Sequence, residues 1–370
     1  MLIGMGEIIR EQRRRAGVRQ EDLASALGIT CQAVSRWETG LSYPDLELIP
    51  AIADYFGIGI GELFGRGRER SFTAAADIGG TKIACGIADE EGNVLAEESF
   101  PTATGEGGGE VSAGRIASTI RALAEKAGVD RREICGIGLF SAGPVDPERG
   151  TVENPYTLPG WEGFPLTRRI SELTGLPARL DNDANGALLG EVLLRDLAGK
   201  RVLAVTLGTG VGAAFYDGER VWRAGRFHPE LGHVIASSGG EVCYCGRRGC
   251  LESRASCKAM NARAEDAGFR RFGGLVSAAK EGDPAAEALL KEILTDLKNG
   301  LWNLVLVFKP EILILAGGIT GEYFPLFRDA IGELADGRED FVPPFRILPA
   351  FQQRNTALAG ASMLYKRGEK

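Results

Sequence analysis

Over the first 65 residues the apolar positions Ile8, Ile9, Leu23, Leu27, Ile29, Val34, Trp37, Leu48, Ile52, Ala53, Phe56 and Leu63 recur at helical spacing, with almost no strand signal between them. Gly65 to Ser71 then offers two glycines, charges and no apolar side chain, which predicts a short exposed linker over 66–71. From Phe72 the texture changes. Ala74–Ile78, Ile83–Ala88, Ile134–Leu139, Val202–Leu207 and Ile312–Leu315 read as buried strands, and Ile116–Ala127 and Ala285–Val307 as helices between them. The pattern predicts a small all-α domain over 1–65 followed by an α/β domain over 72–370, with no internal repeat.

Composition narrows the class. An apolar fraction of 44% and a charged fraction of 25% exclude a disordered or fibrous chain. No apolar run approaches the ~20 residues needed to span a bilayer, and Met1 to Gly6 lacks the basic-then-apolar order of a secretory signal. A cytoplasmic protein without membrane contact is expected. The net charge of −7 argues against nucleic-acid binding by the molecule as a whole, though not by one small module. Seven cysteines, one group of them tightly clustered, favour metal ligation over disulfides in such a chain.

Within the first module, Gln20–Leu27, the turn Gly28-Ile29 and Thr30–Thr39 predict two short helices joined tightly, with Thr30 as N-cap of the second. Ala24, Gly28 and Val34 are small or apolar where the helices would cross. Cys31, Gln32, Ala33, Ser35 and Arg36 are then left on the outer front of the second helix, where Gln and Arg can make bidentate base contacts. Arg10, Arg13, Arg14, Arg15 and Arg19 would meet the phosphate backbone. Nine Arg against ten Asp and Glu in residues 1–70 make no broadly basic surface, so modest, salt-sensitive affinity is expected. The run Q-E-D-L-A-S-A-L-G-I-T-C-Q-A-V-S-R-W-E-T-G, continued by Y-P-D-L-E-L-I-P-A-I-A-D-Y-F-G, resembles the Cro/C1-type (Xre) helix-turn-helix family. That resemblance implies binding to double-stranded DNA, with Gln20, Gln32, Ala33, Ser35 and Arg36 as candidate contacts.

Three glycine turns follow buried strands in the second domain: Asp77-Ile78-Gly79-Gly80-Thr81-Lys82, Thr206 to Gly212, and Ala316-Gly317-Gly318. One alone would be an ordinary hairpin. Three at these distances suit a two-lobed ATPase, whose backbone amides approach phosphate oxygens and whose Asp77 can hold the water shell of Mg²⁺. Between them lies Asp181-Asn182-Asp183-Ala184-Asn185, a polar turn or helix cap by itself. Beside a phosphate turn, a carboxylate there can take the proton of an attacking sugar hydroxyl, and Asn182 can bond its neighbours.

In order, D-I-G-G-T-K, A-G-P-V-D, L-P-G-W-E-G-F-P-L, D-N-D-A-N, T-L-G-T-G-V-G, E-L-G-H and C-Y-C-G-R-R-G-C-L-E-S resemble the ROK family of sugar kinases and sugar-responsive repressors, from about Phe72 to Gly360. The resemblance implies an actin/hexokinase-like pair of α/β lobes around a cleft. Asp183 would be the general base, and Asn182, Glu230, His233 and Glu252 would bind the hydroxyls of a hexose or amino-hexose. Asp77, Gly79, Gly80, Thr81, Lys82, Gly208, Thr209, Gly210, Gly317 and Gly318 would hold Mg-ATP. A homodimer or higher homo-oligomer is implied too. The chain departs from the family at Ala142, where Pro is common. It departs again at Pro155-Tyr156-Thr157-Leu158-Pro159 in place of Pro-Asn-Leu-Pro, which leaves a sugar-binding Asn either missing or displaced to Asn154. The third departure is His228-Pro229 before Glu230, which looks like the fructokinase branch.

His233, Cys243, Cys245 and Cys250 give His-x₉-Cys-x-Cys-x₄-Cys, one imidazole and three thiols that suit a closed tetrahedral Zn²⁺ site. Gly246 and Gly249 allow a tight loop, and the second ring nitrogen of His233 would remain to face sugar and orient Glu230. Cys31, Cys85, Cys135 and Cys257 stand singly and are expected to be inert. The intact phosphate turns and Asp183 favour a glucokinase-like ATP:hexose phosphotransferase that also regulates transcription; the alternative is a non-catalytic sugar-sensing repressor.

Overall fold

The structure is a computed structural model that describes residues 4–64, 71–225, 228–334, 340–351 and 355–365. It divides into two compact units, Met1–Arg70 and Ser71–Lys370. But for Ser71, the linker expected at 66–71 lies outside the described residues.

The first unit is helical: α1 (Met5–Arg15), α2 (Gln20–Leu27), α3 (Cys31–Glu38), α4 (Ile49–Phe56) and α5 (Ile60–Leu63) enclose Ile9, Leu23, Val34 and Ile52. Thr30 caps α3, its Oγ1 accepting from the Ala33 amide at 3.3 Å, as expected. Gly28 plays a different part from the one expected. It touches no other helix; at φ +66° it ends α2 in the left-handed conformation that glycine adopts without strain. The close helix contact falls instead on Gly6, where a Cβ would sit 1.7 Å from the Trp37 carbonyl oxygen.

The second unit holds two sheets. β1 (Phe72–Ile78), β2 (Lys82–Ala88), β3 (Val94–Pro101), β4 (Ile134–Ser141) and β7 (Ala178–Asn182) form the first in the order β3-β2-β1-β4-β7. The ribbon β5 (Val145–Asp146) and β6 (Thr151–Val152) lies apart from it. β8 (Val202–Leu207), β9 (Val211–Tyr216), β10 (Ile312–Ala316) and β11 (Arg346–Pro349) form the second in the order β11-β10-β8-β9. Parallel pairing joins β1 to β4, β4 to β7, β8 to β10 and β10 to β11; β1, β4, β8 and β10 are buried along most of their length, hence their apolar runs, while the edge strand β11 is not.

Helices α6 (Gly108–Ala127) and α7 (Leu166–Thr174) cover one face of the first sheet. α6 begins eight residues before the expected Ile116, because its first two turns bury glycine, serine and alanine rather than large apolar side chains. α9 (Leu251–Ala255), α10 (Cys257–Asp266), α11 (Arg271–Lys280), α12 (Pro284–Phe308) and α13 (Gly318–Gly332) cover the second sheet. Between the sheets run α8 (Asp183–Leu194) and α14 (Thr356–Gly360). They cross so closely that a Cβ on Gly190 would lie 1.8 Å from the Thr356 carbonyl oxygen. The segment after α14 is pinned to the first lobe by the Tyr365 hydroxyl, which accepts from the Ile137 amide at 3.1 Å.

Candidate active site and metal centre

Parallel sheets present their strand ends to the space between lobes, where ligands of open α/β folds bind. A cleft of about 500 Å³ lies there, lined among others by Asp77, Asn182, Asp183, the turn Gly208 to Gly212, Glu230 and Glu252. Asp77, next to last in β1, is largely removed from water, and its Oδ2 accepts from Asn355 Nδ2 at 2.9 Å. Burial raises its pKa above the usual carboxylate range; the Asn355 bond and the Lys82 charge oppose that only in part.

Asn182 is the N-cap of α8, its Oδ1 accepting from the Ala184 amide at 2.9 Å, and Asp183 is the first helical residue. The same amide bonds Asp183 Oδ1 at 2.9 Å. Burial, then the negative charge of Asp77, raise Asp183 to about 6; the backbone bonds work the other way and Glu230 adds to the rise. The preceding Asp181 is held otherwise. It accepts from the Asn182 amide (2.8 Å) and Asn185 Nδ2 (2.7 Å) and pairs with Arg223, so it braces the loop from behind. Glu230 is also raised, first by burial and then by Glu252, with His233 opposing. Glu252, on α9, bonds the Val211 amide at 2.9 Å and thereby fastens the turn after β8.

The glycine turns occupy strand ends. Gly79 closes the β1–β2 hairpin by bonding the Lys82 carbonyl at 3.0 Å, and Thr102 Oγ1 donates to the Gly79 carbonyl at 2.7 Å. Gly79, Gly80, Thr81 and Lys82 follow Asp77 in the chain but are not among the residues that line the cleft; Gly80 abuts Thr157. Gly208 bonds the Gly210 carbonyl at 3.0 Å, and Gly208, Thr209 and Gly210 all line the cleft. Gly317 (φ +103°) leads into Gly318 and α13, and a Cβ there would meet the Leu207 carbonyl oxygen at 2.2 Å. The third turn therefore rests on the second.

The ligand atoms of His233, Cys243, Cys245 and Cys250 all lie within 4.8 Å of one another. His233 Nδ1 is 3.5 Å from Cys243 Sγ, and Cys245 Sγ is 3.5 Å from Cys250 Sγ. Ligands about 2.3 Å (S) and 2.0 Å (N) from a tetrahedral centre stand ~3.5–3.8 Å apart, so the donor set fits such an ion. Gly246 and Gly249 have φ +86° and +75°, the tight loop expected.

Two expectations are corrected here. The second nitrogen of His233, expected to face sugar, instead bonds the Tyr244 hydroxyl at 2.9 Å, and His233 is not among the cleft-lining residues. Asn154 is no substitute sugar ligand: it is fully buried, its Nδ2 donates to the Ala142 carbonyl and Thr157 Oγ1, and its Oδ1 receives the amides of Tyr156 and Thr157. Sequence reasoning missed Asn355, Thr356 and Ala357, which line the cleft from a segment far along the chain, and Tyr244, inside a motif that had been quoted for its cysteines. Nothing local could mark Asn355. His228 lines the cleft too, and burial lowers it to about 4, an uncharged imidazole at neutral pH.

In the helical unit, Gln32 and Arg36 are exposed on α3, and Ser35 is half-buried. Cys31 and Ala33, expected to point outward, pack against the core. Arg13, expected to meet phosphate, forms a largely buried ion pair with Glu38 (2.6 Å), which also receives Gln20 Nε2 at 2.7 Å. These contacts tie α1, α2 and α3 together and leave only the other side of the Gln20 amide available.

A two-lobed α/β ATPase fold with a carboxylate of raised pKa in its cleft defines the class, and comparison with known proteins agrees. The chain belongs to the ROK family, which it matches over residues 73–368, and residues 9–63 match a helix-turn-helix family. It is 29% identical over 314 residues to a glucokinase of Thermotoga maritima, covering 78% of this chain and 96% of that protein. A crystal structure of a ROK family glucokinase from Streptomyces griseus, in complex with glucose and AMPPNP, aligns with a TM-score of 0.59 and 31% identity, over 81% of this chain and 100% of that one. A ROK family transcriptional regulator, a homologue of the E. coli MLC protein, aligns over 97% of this chain and 94% of its own with a TM-score of 0.66; at 19% identity the likeness is one of fold. No helix among the described residues is long and apolar enough to cross a membrane.

Proposed function

We infer that the second unit is an ATP-dependent hexose kinase, glucokinase-like, and that the first binds double-stranded DNA. The observation that carries the kinase reading is Asp183: a carboxylate raised to about 6 beside Asp77, at the phosphate turns. A base needs a pKa near the working pH, and burial with a like charge gives it one. Asp183 takes the proton of the sugar hydroxyl, whose oxygen then attacks the γ-phosphorus of ATP and expels ADP. Asn182, Glu230 and Glu252 accept or donate to the sugar's other hydroxyls and fix which one faces Asp183. The turns at Gly79-Gly80-Thr81-Lys82, Gly208-Thr209-Gly210 and Gly317-Gly318 present amides and side-chain donors to the nucleotide. Asp77, held by Asn355, would hold Mg²⁺, which neutralises charge building on the phosphates. Likeness to glucokinases, one solved with glucose and a nucleotide analogue, supports the reading. A coupled ADP-release assay over a panel of hexoses and amino-hexoses tests it; no sugar-dependent ADP formation would overturn it.

His233, Cys243, Cys245 and Cys250 would hold one structural Zn²⁺ per chain, whose closed coordination anchors the loop that carries Tyr244 and, through His233, the approach to Glu230. Metal analysis of purified protein should return about one Zn²⁺, lost in Cys250→Ser together with sugar affinity; normal sugar binding without zinc contradicts this role.

The helix-turn-helix unit favours a regulatory role beside the enzymatic one. α3 would enter the major groove with Gln32, Ser35 and Arg36 toward bases. A homodimer would meet an inverted repeat, and sugar would alter that binding only by its differing affinity for the DNA-competent and other states. Anisotropy titrations against DNA flanking the native locus, with and without sugar, check this. Binding indifferent to every sugar would leave the two units as independent activities.

A further inference from the structure

The glycine turn after β8 is held from behind by the short span 252–257. The Cys257 amide donates to the Gly208 carbonyl at 2.9 Å, and the Glu252 carboxylate accepts from the Val211 amide at 2.9 Å. The residues bounded by those two bonds, Gly208 to Val211, all line the cleft. The fit is close: a Cβ on Gly210 would stand 2.4 Å from Glu252 Oε2. Where the span sits therefore decides where the turn sits.

Four charged side chains, none of them lining the cleft, place the span. Arg254, inside it on α9, donates from Nε to Asp296 Oδ2 at 2.9 Å and from a terminal nitrogen to Glu292 Oε1 at 2.7 Å, both carboxylates being on α12. Arg263, on α10, donates to the same two oxygens at 2.9 and 2.6 Å, and to the Arg254 carbonyl at 3.2 Å. Asp296 is 4% exposed, and the Arg254 and Arg263 side chains 13% and 15%. Stability is a poor account of this group, since buried ion pairs often do no better than apolar side chains of the same volume. The join of α9 to α12 is already packed: Leu251 is fully buried, and a Cβ on Gly300 would lie 2.5 Å from its side chain. What a guanidinium fork adds is direction, because its planar donors meet carboxylate oxygens at set angles. Two forks from successive helices, aimed at one turn of α12, fix the rotation of the span as well as its distance.

We propose that Arg254, Arg263 and Asp296 are positioning residues for the nucleotide: joined across α9, α10 and α12, they buttress the turn at 208–211 where its amides meet phosphate, and touch no substrate themselves. The proposal rests on the kinase reading. On that reading the turn depends on the span at both ends, through Cys257 and Glu252, whereas a sugar meets only Glu252 of it and is held elsewhere by Asn182 and Glu230. Disturbing the buttress therefore weakens nucleotide more than sugar.

The test compares wild type with Arg263→Met and with the triple variant Arg254→Met/Arg263→Met/Asp296→Leu, which puts apolar side chains of similar volume in place of the buried charges. Steady-state kinetics give the KM for ATP, the KM for glucose and kcat, and calorimetry gives the affinity for Mg-ADP. The triple variant should fold, as such replacements commonly do. Its KM for ATP should nonetheless rise ~10-fold or more, the scale on which a small misplacement remote from the chemistry acts, while the KM for glucose changes less than ~3-fold. The affinity for Mg-ADP should fall in step. Arg263→Met keeps the pair of Arg254 with Asp296 and should show the same preference with a smaller rise, so it decides the matter if the triple variant does not fold. A KM for ATP equal to wild type's in the folded variants overturns the buttress. So does a rise of both KM values by one factor, the mark of general loosening. If wild type phosphorylates no sugar, the kinase reading fails separately and Mg-ADP binding still decides: an affinity equal to wild type's in the folded variants, or a wild type that binds no nucleotide, overturns the buttress.

Discussion

Glu38 in the helical unit and Asp183 in the cleft are both carboxylates shielded from water beside a helix end, and they are displaced in opposite directions. Burial pushes Glu38 up, but bonds from Arg13 and Gln20 outweigh it and hold its pKa below the ordinary range. Asp183 has backbone bonds, no cation paired with it among the described residues, and Asp77 as a neighbour, so it rises to about 6. The contrast separates two uses of the same chemistry. A buried carboxylate whose lone pairs are met by a guanidinium and an amide holds helices together; one left short of partners beside a like charge is poised to take a proton.

The sharpest break of that comparison is Asp183→Asn, which keeps shape and removes the base: turnover should fall roughly 10²–10⁴-fold while calorimetry still shows sugar binding. Full turnover would move the base elsewhere. Glu38→Ala should destabilise the helical unit by about 3–5 kcal/mol, because Arg13 is left buried and unpaired. Hydrogen exchange across residues 5–38 should rise and DNA binding vanish, with the kinase rate unaltered; undisturbed exchange would show that Glu38 holds nothing.

Smaller effects sharpen the helical side. Gln32→Ala and Arg36→Ala should each cost ~1–3 kcal/mol of specific DNA affinity, read by anisotropy. If both bind as wild type, α3 is not the reading helix.

The smallest effect is in pH. Because Asp183 must be ionised, kcat/KM should fall about tenfold per unit below about 6. Its raised pKa means the folded protein takes up that proton more readily than the unfolded chain, so acidification through this window adds stability to the second unit as activity is lost. Glu38 runs the other way: its lowered pKa stabilises the fold above the ordinary carboxylate range, and that contribution disappears only as pH falls through the depressed value. Rate and melting profiles over one pH series should therefore part company near pH 6; if both decline together, unfolding rather than Asp183 accounts for the acid limb.

What could be read beforehand followed from locality. Thr30, the glycine turns, the buried strands and the four clustered side chains that could hold a metal each declare themselves within a few residues, through capping, backbone freedom or ligand spacing. What escaped was decided by packing at a distance. Arg13 looks like a phosphate contact until α3 brings Glu38 beside it. Asn154 looks like a sugar ligand until its loop folds around it. Asn355 reaches Asp77 across 278 positions of chain, and Tyr244 is invisible among cysteines until His233 turns toward it.

The crossing of α14 over α8 has a consequence for synthesis. Gly190 meets Thr356, and Asn355 holds Asp77, so the first lobe is built from both early and late segments. A nascent chain can complete the helical unit as soon as residue 64 or so is clear of the ribosome, since its contacts are local. The cleft has no such option: β1 waits through some 280 further residues, and α8 through some 160, with an apolar face that α14 has yet to cover. For that interval the chain has a finished DNA-binding head and an unfinished enzyme, and a chaperone that shields the α8 face would govern the yield of the second without touching the first.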